Sequence, residues 1–427
     1  MSERNSARSW AMFVVLMLCG MAVGFSQLKV TPVMALLAEE LGVSTTSAAW
    51  LTSIFTLAGI VLSIPGAGLI AKAGPKRTLL FMLAMIVAGN LLGAVAPSFE
   101  VMLASRVVEG VAAVFALPVG VELIGRWFEG PQIGTATGIF MTATPIATFL
   151  MTGSGLMIAN ALGSVRSLWW VTFAYAAVCL AVALVFVQDG EAGIAVPQSE
   201  DAVAAGLAPV VKSTLASRPL VLLCAAMFFL AFSLYSLITC YPQLFVYYGL
   251  STETSNLLTS LNGLVGIPMS VIAGIVIGRT GKPYYVAMVG AVGAFVVCAT
   301  LSMLGDATYA LNVIGSALFP GGIVMAPMFV LAPLLVNKAS EAPMGTCLLN
   351  TFFYLGQFVS TPVTTALSDG NTNWVAPSIA LSASCVLMLV FLVASQRSLI
   401  ASGRTEGSRP ADDAETADAA EATEAAC

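Results

Sequence analysis

The sequence predicts an all-α polytopic membrane protein, with twelve transmembrane helices in two six-helix, pseudo-symmetric bundles. Three observations carry that expectation. Of 427 residues, 58% are hydrophobic and only 9% charged, whereas a soluble domain carries about 25% charged residues. Such a chain has too little polar surface to stay wetted as a soluble fold. The apolar residues fall into twelve runs of spanning length, and one stretch of the first half recurs in the second.

A spanning helix needs about 20 mostly apolar residues. Runs that meet this lie near 10–38, 47–71, 78–97, 99–125, 134–160, 168–187, 219–247, 254–278, 284–304, 308–336, 343–367 and 374–395. The first follows Arg4 and Arg8, as a signal peptide would. It is too long for one, lacks a small-residue cleavage site and precedes many similar runs, so it reads as the first span. Prolines inside 99–125 and 308–336 predict kinks. One long polar connection runs from Asp189 to Arg218 and separates six helices from six. The expected units are therefore bundles at 1–188 and 219–396, a cytoplasmic linker at 189–218 and a tail at 397–427. The tail holds seven Asp or Glu among Ala, Thr and Ser, a composition that builds no core and predicts disorder.

Basic residues set the expected orientation. With twelve spans, fourteen of the seventeen Lys and Arg share the side of the termini, Lys72, Lys76, Arg126, Arg279 and Lys282 among them. Arg166 falls opposite, and Lys29 and Arg106 fall within helices. Both termini are thus expected in the cytoplasm. All six tryptophans, including Trp50, Trp169, Trp170 and Trp374, lie near helix ends, where amphipathic rings favour the membrane interface. Short loops and the lack of an N-x-S/T acceptor site point to a bacterial inner membrane.

Histidine is absent, which excludes Ser–His–Asp triads, His-ligated zinc and imidazole relays. Seven of the eight cysteines sit in apolar runs without metal or redox spacing and read as small core hydrophobes. No H-E-x-x-H or G-x-S-x-G occurs. An enzyme is not expected, nor any cofactor, metal or nucleic-acid partner.

The repeat aligns 42–74 with 249–281 without a gap, and twelve of 33 positions are identical. Leu51/Leu258, Thr52/Thr259, Ser53/Ser260, Gly59/Gly266 and Gly74/Gly281 are among them. Each segment is the second helix of its half with the basic turn that follows. Two six-helix repeats of one orientation imply a two-domain carrier with its site between the halves.

The motifs inside the repeat resemble those of the major facilitator superfamily. Ala67-Gly68-Leu69-Ile70-Ala71-Lys72-Ala73-Gly74-Pro75-Lys76 is similar to the family's G-x-L-x-D-R-x-G-R-K signature, with Ala71 in place of the acid. Gly274-Ile275-Val276-Ile277-Gly278-Arg279-Thr280-Gly281-Lys282 is the second-half counterpart. Arg106-Val107-Val108-Glu109-Gly110 is similar to the fourth-helix R-x-x-Q-G, with an acid for the amide. Of the glycine-rich antiporter signature only Pro145 answers. Phe25-Ser26-Gln27-Leu28-Lys29-Val30-Thr31-Pro32-Val33 resembles the cyanate-permease-like, small-anion branch. The resemblance implies a secondary transporter working by alternating access as a monomer in the lipid bilayer, coupled to a proton or a counter-substrate. It also implies that Gly68, Lys72, Gly74, Lys76, Gly274, Arg279 and Gly281 form conformational-switch loops.

Charge inside the membrane is the sharpest guide to a site, because each such residue costs about 2.5–3.5 kcal/mol on insertion scales. Lys29 precedes Glu39 by ten residues, which puts it roughly 15 Å deep at ~1.5 Å per residue. Ser26 shares its face, and Gln27 lies beside it. Arg106 lies near the outer third of the fourth run with Glu109 on the same face. A guanidinium fork suits an anion's two oxygens, so Arg106 and Lys29 are candidate substrate contacts and Glu109 a proton or charge-pair partner. An internal ion pair is the structural alternative. In the second half Tyr235, Asn350 and Gln357 are the polar candidates. The deep charges sum to +1 and point to a small anion as substrate. Efflux of drug-like, cationic or neutral compounds is the rival.

Overall fold

The computed structural model describes residues 7–129, 131–188, 207–338 and 341–404. Twelve helical passes cross the molecule in alternation. The first half holds α1 (Ala7–Glu40), α2 (45–73), α3 (Pro75–Ala94), α4 (Phe99–Trp127), α5 (131–161) and α6 (Ser167–Phe186). The second holds α7 (Arg218–Tyr247), α8 (Thr252–Thr280), α9 (Pro283–Met303), α10 (Tyr309–Leu334), α11 (Ala342–Leu367) and α12 (Val375–Ala401). Among the described residues, ten of these are long and apolar enough to span a membrane. α8 and α11 are as long, at 29 and 26 residues, but richer in Ser, Thr, Asn and Gln.

Hydrogen bonds fix two ends. Near the termini, Arg8 donates to Gln188 at 2.7 Å, Trp127 to the Gln188 carbonyl at 2.9 Å and Arg404 to the Val336 carbonyl at 2.9 Å. At the far end Arg166 bonds Glu40 at 2.6 Å and the Ala96 carbonyl at 2.5 Å, and Tyr248 donates to the Leu301 carbonyl at 2.8 Å. That alternation requires an even number of passes per half. One buried apolar core belongs wholly to each half. A third, at the far end of the first bundle, takes in Leu234 and Ile238 of α7.

The repeat reappears as matched local geometry. Gly42 and Gly249 both take positive φ, as do Gly74 and Gly281, a conformation that costs glycine least. Just beyond, Ser44 accepts from the Ser47 N–H at 3.1 Å and Ser251 from the Thr254 N–H at 3.2 Å. Each serine caps a helix whose first N–H groups have no intrahelical partner. The same residues at the same spacing thus start and stop α2 and α8.

α10 deviates from regular helix through a π-helical turn at Phe319–Val324 that contains Pro320. Several expectations need correction. Trp169 is not an interface ring but fully buried. α12 stays helical to Ala401, past the boundary at 396, and a short helix Leu207–Leu215 lies inside the linker. The rest of the linker, 189–206, and the tail at 405–427 lie outside the described residues.

The halves meet along two seams, α5 with α8 and α2 with α11. Both need glycine. A Cβ on Gly263 would stand 2.4 Å from the Phe149 nitrogen and the Pro145 carbonyl oxygen, and one on Gly59 2.5 Å from the Tyr354 ring. Toward the far end, Asn256 donates to the Pro32 carbonyl at 3.0 Å, and Trp50 meets Phe358 edge-on at 5.5 Å.

Candidate substrate site

α1 and α2 both break where they pass the middle of the first bundle. In α1 the regular helix ends at Leu28 and a 3-10 turn follows at Thr31–Val33, with Pro32 inside it. In α2 a 3-10 turn at Ile54–Thr56 interrupts the helix. Such breaks leave carbonyls without their usual N–H partners. Arg106 on α4 takes up both sets. Its Nη1 donates to the Ser26 carbonyl at 2.5 Å, its Nη2 to Gln27 at 3.1 Å and its Nε to Leu51 at 2.8 Å. Gly110, one turn on, lets α2 approach, since a Cβ there would fall 1.9 Å from the Phe55 carbonyl oxygen. The spacing of Arg106, Glu109 and Gly110 is therefore a packing device as well as a charge pair.

Glu109 completes the cluster. It pairs with Arg106 at 2.5 Å and with Lys29 at 2.9 Å, and Lys29 also donates to Asn90 Oδ1 at 2.5 Å. Asn90 in turn donates to Ser26 Oγ at 2.8 Å and accepts from Thr172. Lys29 lies over Trp169, 4.6 Å from the ring centroid, and Arg106 over Phe55 at 4.7 Å. Lys29, Arg106, Glu109, Asn90 and Ser26 are all fully buried. Two cations and one carboxylate leave one positive charge in excess. Backbone carbonyls and aromatic faces spread it, which is how a buried charge becomes tolerable.

A separate cavity lies where the halves meet. The first half contributes Gln27 and Leu28 from α1 and Thr52 from α2. Facing them are Tyr235 and Thr239 of α7, and Gln357, Ser360 and Thr361 of α11. It holds about 10 Å³ of free volume, room for about one water. Every one of these lining residues is uncharged. The buried Gln357 Oε1 has no hydrogen-bond partner.

The structure thus divides the residues that the sequence singled out. Gln27, Tyr235 and Gln357 come together at the cavity. Lys29, Arg106, Glu109 and Ser26 turn into the first bundle and do not line it. The expected positive cavity is replaced by a neutral one, because charges paired within one bundle avoid the cost of standing bare in the gap. Asn350 lies on α11 beside Tyr354 and outside the cavity. Gly74 and Gly281 form turns of positive φ, and Arg279 is exposed. Gly68, Lys72 and Gly274 fall in stretches not described at side-chain level, and Lys76 is half-buried. Asn90, Thr52, Ser360 and Thr361 were missed. Asn90 was findable as a lone amide in an apolar run; the hydroxyls were not, since each resembles many other Ser and Thr in these helices.

The Major Facilitator Superfamily profile matches residues 12–361. The chain belongs to the major facilitator superfamily. It is a multi-pass membrane protein of that family. Its fold is similar to that of a bacterial homologue of the human lysosomal transporter Spinster, solved inward-facing and unoccupied. The TM-score is 0.73 at 15% identity, over 92% of this chain and 96% of that one. In sequence it is 29% identical over 159 residues to a chloramphenicol resistance protein of Streptomyces lividans, covering 37% of this chain and 39% of that protein. It is 28% identical over 167 residues to the uncharacterized MFS-type transporter YhcA of Bacillus subtilis, covering 39% of this chain and 29% of YhcA. The matched stretch thus spans well under half the length of either relative.

Proposed function

We propose that this transporter carries an uncharged, amphiphilic small molecule out of a bacterial cell through a site that opens as its halves part and is seen here closed down to this cavity. The neutral lining of that cavity is the observation that supports the reading. Charged solutes need charged or strongly polar partners to offset their desolvation, and the wall offers amides, hydroxyls and the ring of Tyr235. The small-anion expectation drew on Lys29 and Arg106, whose donors are committed to Glu109, Asn90 and backbone carbonyls. The relative named for chloramphenicol resistance supports the same class, since chloramphenicol is uncharged. The termini then lie in the cytoplasm, the membrane is the bacterial inner membrane, and a proton or counter-substrate drives the cycle of a monomer.

Counterflow of labelled chloramphenicol into proteoliposomes tests this. Uptake is expected to be carrier-dependent, insensitive to excess benzoate, and lost in Thr361→Trp, whose side chain overfills the cavity. Carrier-dependent benzoate exchange without chloramphenicol movement would restore the anion reading.

A further inference from the structure

The serine and threonine hydroxyl protons of the cavity wall are already committed. Thr52 donates to the Ala49 carbonyl, Thr239 to the Tyr235 carbonyl and Ser360 to the Gln357 carbonyl, each at 2.7 Å. The hydroxyls of Thr239 and Thr361 lie 2.8 Å apart. A hydroxyl has one proton to give, and that of Thr239 goes to Tyr235, so Thr361 donates in this pair. The serine and threonine oxygens of the wall are therefore left with lone pairs and no uncommitted proton. Gln357 Oε1 is the extreme case, a buried acceptor without a partner on a side chain only 5% exposed. A buried acceptor stripped of water is destabilising until a donor reaches it. The donors left on the wall are the amide N–H groups of Gln27 and Gln357 and the Tyr235 hydroxyl.

We infer that the cavity selects solutes by their hydroxyl donors, with Gln357 as the specificity-determining residue whose Oε1 accepts from a hydroxyl of the solute. The inference rests on the uncharged-solute reading and narrows it to hydroxyl-bearing compounds. Selection of this kind is sharp, because an analogue lacking the donor leaves the acceptor buried and bare.

Binding isotherms on the purified full chain test it, with chloramphenicol and its bis-O-methyl ether, in which both hydroxyl protons are gone. The wild type is expected to favour the free alcohol about tenfold, the effect of one hydrogen bond to a buried acceptor. Gln357→Met should bring the ratio near one by weakening the alcohol alone. Thr239→Val removes an acceptor and frees the Thr361 proton, so it should lower the ratio by tightening the ether. That second variant carries the test where Gln357→Met fails to fold. Equal binding of both compounds by the wild type, or a ratio unmoved by either variant, overturns this inference and leaves the uncharged-solute reading standing. Displacement of chloramphenicol by benzoate overturns both.

Discussion

At the scale of single residues, the buried cluster obeys an asymmetry of charge. Lys29, Arg106 and Glu109 together hold one positive charge in excess. Removing Lys29 leaves a balanced Arg106–Glu109 pair, whereas neutralising Glu109 leaves two unpaired cations. Breaking a buried pair costs about 3–5 kcal/mol, because the remaining charge is stranded. Glu109→Gln should therefore lower the melting temperature in detergent far more than Lys29→Met. Equal losses from the two would mean that packing, not charge balance, governs this cluster. The sequence exposed the three ionised residues at once, because each is costly in an apolar run. It did not show which way they point. That depends on the breaks in α1 and α2, whose freed carbonyls Arg106 takes up, and on Asn90, brought by a third helix.

At the scale of helices, glycines mark two kinds of contact. Gly110 lies inside one bundle, against the Phe55 carbonyl of α2, and Gly263 lies on the seam between bundles, against α5. The first contact lies within a bundle and should matter for folding, the second between bundles and should matter only when the seam is closed. Gly110→Ala is expected to lose folded protein altogether, read as the yield of monodisperse carrier. Gly263→Ala should fold normally yet disfavour the closed seam. Cysteines placed at Gly153 and Ser260, which meet across that seam, report it. Their cross-linking should fall severalfold in Gly263→Ala and stay unchanged if the glycine has no part in closure. The repeat made α2 and α8 readable as counterparts, because caps and positive-φ turns are local and recur in the sequence. The seams were not readable, since a glycine at a close approach looks like any other until its partner helix is known.

At the scale of the molecule, the two ends defined by hydrogen bonds separate Arg166 from Lys282. Single cysteines at these positions are expected to react with a membrane-impermeant maleimide from opposite sides of oriented vesicles. Labelling of both from one side would break the even-pass topology and the two-bundle fold with it. The excess of basic residues on the Lys282 side predicts that this cysteine is the one labelled from the cytoplasmic side.

The amino-acid order alone settled the environment, the number of passes and the pairing of the halves. Those follow from apolar run length, loop charge and local turn chemistry, which act over a few residues and leave a periodic trace. Only the tertiary structure decided where the costly charges went and what faces the gap. A side chain's direction depends on the helices packed around it, and those arrive from distant parts of the chain. Here they folded Lys29, Arg106 and Glu109 into one bundle and left amides, hydroxyls and an aromatic ring on the cavity wall.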